Sequence, residues 1–161
     1  MHRVGQFVAH VRARVDPEEE AMARRLLPTA AAALFVSMPV ADRRHGLDVA
    51  ERLVATGVDD PDVLAAALLH DAGKGRRVRL WHRVAGVLVE AVSPRALERL
   101  ASPNPQSWRF PFHLYVHHAA ISAGLATAAG CTPRVGAFII GEVSSDDAHL
   151  ARALKAADDA S

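Results

Sequence analysis

Hydrophobic positions along this chain gather in blocks of helical length, and proline punctuates them. Asp16-Pro17, Asp60-Pro61, Ser93-Pro94 and Thr132-Pro133 each set a capping side chain directly before a proline suited to the first helical position. The spacing predicts a helix from Pro17 to about Leu27, opened by Asp16 and Glu19 as a capping box, and a short one from Pro28 to near Met38. A third runs from about Ala41 to Thr56 and stops at Gly57; a fourth runs from Pro61 to about Asp71. Leu80 to Val92 follows, with Trp81, Val84, Leu88 and Ala91 on one face, then Pro94 to Leu100. Ser102-Pro103-Asn104-Pro105 reads as loop. A long helix from about Pro111 to Ala129 carries Leu114, His118, Ile121 and Leu125 on one stripe, and Gly130 ends it. Pro133 to Ile140 and about Asp146 to Asp158 complete the series. No segment alternates with the period of a strand, so the expected class is all-α.

One block differs from the rest. Val63 to Leu69 is apolar without interruption, too apolar for a surface helix. It runs directly into His70-Asp71, and Gly73 offers an exit from the helix before Lys74. A carboxylate at the buried end of a core helix is costly unless it is paired or bound to a metal.

Composition narrows the reading. Half of the 161 residues are apolar and only 5% are aromatic, which suits close-packed helices of Ala, Leu and Val. The length fits one compact domain, with residues 1–40 as a helical extension packed on a core formed by 41–161. A net charge of +1 gives no general attraction to nucleic acid. The single cysteine, Cys131, forms no internal disulfide and fits a reducing cytoplasm. No long apolar stretch follows Met1-His2-Arg3-Val4-Gly5-Gln6, so neither a signal peptide nor a membrane span is expected.

Further polar groups share apolar stripes. His45 lies on the stripe of Val49 and Leu53, His118 on that of Ile121 and Leu125, and Asp158 on that of Leu150 and Leu154. Asp159 is turned about 100° away from Asp158. A single histidine on an apolar face is most often a core histidine with a hydrogen bond. Four helices that each bring a histidine or carboxylate inward need a common partner, and one divalent transition ion would satisfy them together.

The order His45, His70-Asp71, Asp158 resembles the ligand order of the HD-domain superfamily of metal-dependent phosphohydrolases. Leu68-Leu69-His70-Asp71-Ala72-Gly73-Lys74 is similar to that family's central motif and Leu154-Lys155-Ala156-Ala157-Asp158 to its closing one. The resemblance spans roughly Asp42 to Asp158 and implies a single HD-domain-like helical bundle. It implies a metal held by His45, His70, Asp71 and Asp158: Mn, Fe, Co, Ni or Zn, with Mg also admissible. In two-metal members further histidines bind a second ion. His118 resembles the first of these, but Gly141-Glu142 stands where the next is expected, leaving Glu142 as an oxygen ligand. One ion is therefore expected.

The implied activity is hydrolysis of a phosphomonoester or phosphodiester, with a nucleotide as the expected small phosphorylated partner. Asp71 and Lys74 would serve catalysis, and Lys74 with Arg77 would hold the substrate phosphate. Trp108 and Phe110 either wall a nucleobase or simply close the core. The competing reading is an HD-fold domain with reduced catalysis, acting as a metal- or nucleotide-binding regulatory module. A nucleic-acid-binding role rests only on Lys74, Arg76, Arg77, Arg79 and Arg83, and the near-neutral charge opposes it. A homodimer is compatible with the sequence.

Overall fold

The computed structural model describes residues 14–161; the reading of Met1 to Gln6 lies outside them. Among the described residues there are nine α-helices and no strand: α1 (Pro17–Leu26), α2 (Thr29–Ser37), α3 (Val40–Ala55), α4 (Pro61–Leu69), α5 (Leu80–Val92), α6 (Pro94–Leu100), α7 (Phe110–Ala128), α8 (Pro133–Ile140) and α9 (Ala148–Ala160). A 3₁₀ turn, Ala72–Lys74, follows α4. No described helix is long and apolar enough to cross a membrane.

The capping signals act as their chemistry requires. Asp16 accepts from the Glu18 amide at 2.8 Å, and Glu19 accepts from the Asp16 amide at 3.1 Å. Asp60 accepts from the Asp62 and Val63 amides at 3.0 and 3.2 Å, ahead of Pro61. The seven residues Val63 to Leu69 are all buried. They share one core with Ala23, Leu27, Ala31 and Phe35 of the N-terminal helices and with Ala123, Val135, Phe138 and Leu154.

The helix α4 stops two residues earlier than its pattern predicts. His70 is its C-cap, and Asp71 lies outside the helix at φ −98°, ψ 1°. The cause is α7. Ser122 Oγ donates to the His70 carbonyl at 2.6 Å and accepts from the Gly73 amide at 2.8 Å, so these groups are satisfied across the interface. Gly73 does not turn the chain. A β-carbon there would sit 2.5 Å from the His118 carbonyl oxygen, so its glycine permits close contact with α7. The turn falls instead at Gly75, whose φ of +54° favours glycine.

The stripe expected of α7 is also displaced. Leu125 is exposed, and the buried positions are Phe112, Ser122, Ala123 and Ala126. The helix is apolar nearly all round, so periodicity does not pick its inner face. The small residues lie inward because α8 and the 3₁₀ turn pack closely on them.

Candidate metal centre

Three helices carry the centre. His45 on α3 follows a buried stripe through Val49 and Leu53, and Gly46 beside it lets α3 meet α4. A β-carbon at Gly46 would lie 3.0 Å from the Ala67 carbonyl oxygen. That contact brings His45 to the end of α4, with the His45 and His70 ring centroids 5.1 Å apart. From α9, Asp158 Oδ1 reaches His45 Nε2 at 2.8 Å and His70 Nε2 at 3.5 Å. One ligating atom from each of His45, His70 and Asp158 lies within 4.8 Å of the others. Ligands about 2.1 Å from a metal at tetrahedral or octahedral angles stand roughly 3.0–3.4 Å apart. The donor atoms approach that spacing. Asp159 faces elsewhere and pairs with Lys155 at 3.0 Å.

The histidine tautomers suit ligation. His70 Nδ1–H donates to the Ala67 carbonyl at 2.9 Å, which leaves Nε2 facing Asp158 as the nitrogen that ligates once its proton is given up. His118 is arranged likewise, with Nδ1–H donating to the Tyr115 carbonyl at 2.7 Å.

Asp71 adjoins this trio without belonging to its tight group. It is 2% exposed, with Oδ1 at 3.5 Å from His70 Nε2 and 3.8 Å from His118 Nε2. Lys74 Nζ lies 2.7 Å from both carboxylate oxygens of Asp71 and donates to Oδ2. Among the described residues buried Oδ1 accepts no hydrogen bond in good geometry, although the Lys74 ammonium lies against it. An oxygen that faces two imidazole nitrogens still has a lone pair to offer a cation, beside the Lys74 ammonium that already neutralises it.

Electrostatics follow from this crowding. Burial raises the Asp71 carboxyl, but Lys74 and His70 outweigh it and hold it well below the usual range. Asp158 is likewise held low against its burial, through His45 and His70. Burial lowers His70, and Asp71 with Asp158 overcomes it, so its imidazolium is favoured. His118 moves down through burial and the Lys74 charge.

Other expected site residues stand apart. Arg77, expected to hold phosphate, donates to the Pro105 carbonyl at 2.9 Å and lies over the Phe110 ring at 5.3 Å. Glu142 is exposed beyond the left-handed cap Gly141 and is not in the ligating group. Trp108 is exposed. The residue that sequence reasoning missed is Ser122, which fixes the His70–Gly73 backbone. Its only signal was a hydroxyl one turn after His118.

No protein-family model matches this chain, and comparison with curated proteins and with solved structures returns no match either.

Proposed function

We propose that this chain is a metal-dependent phosphohydrolase of the HD-domain type, acting on a small phosphate ester. The observation that carries the reading is the convergence of His45, His70 and Asp158, from three helices, beside the buried carboxylate of Asp71. His45, His70 and Asp158 would hold one divalent ion, with Asp71 as the fourth ligand. Such an ion supplies Lewis acidity and an acidified water at neutral pH. The rest of the work falls to the chain. The Ala67 carbonyl holds the His70 Nδ1–H, so the proton that a metal displaces is the one on Nε2, which faces inward. Lys74 keeps Asp71 ionised and fixes its orientation.

The alternative, a metal-binding regulatory domain with reduced catalysis, is favoured by one specific feature. Lys74 is engaged with Asp71, and Arg77 donates one N–H to the Pro105 loop, so the two cations serve the protein's own oxygens in this arrangement. Turnover of a panel of phosphomonoesters, phosphodiesters and nucleotides with Mn, Ni, Co, Zn and Mg separates the two. The enzyme reading expects metal-dependent hydrolysis that Asp71→Asn abolishes. A melting shift with metal and no turnover on any ester favours the regulatory domain.

A further inference from the structure

A second feature lies round α3 from the metal centre. An open surface depression, with about 520 Å³ of space, is lined by Arg43, Arg76, Arg79 and Arg83 around Met38 and Val78. No acidic side chain among the described residues lines it. Arg43 pairs with Glu20, and Arg83 pairs with the buried Asp42 at 2.6 Å. Arg76 and Arg79 form no ion pair with any described residue; the one side-chain contact of Arg76 is a long one, 3.4 Å to the Ser37 carbonyl. Four guanidinia against two carboxylates leave two positive charges uncompensated. The Nε groups of Arg43 and Arg83 are buried without a hydrogen-bond partner among the described residues. Arg76 and Arg79 are exposed, so their charges are hydrated and open to an incoming anion. Arg43 and His45 are two residues apart on one helix, roughly 200° in rotation, so the depression and the metal centre occupy different sides of α3.

We propose that this depression binds a small polyphosphorylated molecule, at a site separate from the metal centre. The exposed guanidinia of Arg76 and Arg79 take phosphate oxygens in forked pairs, with Arg43 and Arg83 deepening the positive field. Met38 and Val78 form an apolar wall for the organic part, Met38 adapting its shape to it. The proposal does not depend on the hydrolase reading, since it requires no metal.

Titration calorimetry on the full chain in EDTA, with ATP and inorganic tripolyphosphate as probes, tests it. Saturable one-site binding of ATP is expected, weakened at least tenfold by Arg76→Ala/Arg79→Ala. Both arginines are exposed, so that variant keeps the wild-type melting temperature. Arg76→Lys/Arg79→Lys should fall between the two, because charge remains while the fork is lost. Asp158→Asn and His45→Ala should bind ATP as the wild type does. Absence of saturable binding, or equal binding by the double alanine variant, overturns the proposal. So does loss of metal-free binding in Asp158→Asn and His45→Ala, or an RNA oligomer that outcompetes ATP. Equal affinity for tripolyphosphate overturns the role given to the apolar wall.

Discussion

Two apolar helices of this molecule have opposite fates. In α4 every residue from Val63 to Leu69 is buried, and the helix ends in the metal centre. In α5 the stripe of Trp81, Val84 and Leu88 stays 53, 45 and 63% exposed. From Val63 to Leu69 the α4 run carries no polar side chain on any side, so no face of it suits water. A one-sided stripe specifies a face and leaves its partner open; here α5 meets α7 elsewhere, where a β-carbon on Gly86 would lie 2.8 Å from the Tyr115 ring. The largest expected effect tests this contrast. Leu68→Ala should cost about 2–5 kcal/mol in denaturant unfolding, whereas Leu88→Ala should stay within roughly 0.5 kcal/mol. Comparable losses would mean that the α5 face is covered in solution.

The next effect concerns the seam where α4 ends. Gly73→Ala pushes a methyl group into the α7 backbone and should cost about 1–3 kcal/mol or more. Ser122→Ala leaves the His70 carbonyl and the Gly73 amide without their shared partner, worth about 1–3 kcal/mol if both stay dry. Both variants should also weaken metal binding, because they release the backbone that aims His70. Ser122→Ala with unchanged stability and unchanged metal affinity would show that α4 ends where it does for another reason.

That seam also marks where the sequence stopped being legible. Caps and prolines placed the helices to within a residue or two, because each is a local signal with a local partner. The phase of Asp158 against Asp159 was readable for the same reason, since Leu150 and Leu154 define one side of α9. Three features depended on distant residues. The end of α4 is set by Ser122, 49 positions beyond Gly73. The inner face of α7 is chosen by what packs on it. Arg77 was expected at a phosphate, but the Pro105 carbonyl and the Phe110 ring hold it.

A smaller effect should appear with pH. Asp71 and Asp158 are held below their ordinary range, so their stabilisation is present above the unfolded value of about 3.9 and lost as pH falls through the folded values. His70 is raised, so its contribution is complete below about 6.5 and lost as pH rises through its folded value. The metal-free melting temperature should therefore decline on both the acid and the alkaline side. Metal binding must displace the His70 proton, so the melting shift caused by Mn or Ni should grow from pH 6 to pH 8. A shift that shrinks over that interval would place the ion away from His70.

The central claim is that one ion sits among His45, His70 and Asp158, beside Asp71. His113 and His117, one turn apart on α7 with ring centroids at 4.4 Å, offer a surface pair that could bind metal independently. Calorimetric titration with Ni or Mn is therefore decisive in a His113→Ala/His117→Ala background. The account predicts one ion bound by that protein and by its Asp159→Ala derivative, and none by its Asp158→Ala derivative. A thousandfold excess of metal over its dissociation constant would add about 4 kcal/mol of stability to the first two alone. Equal binding by the Asp158→Ala and Asp159→Ala proteins would contradict it.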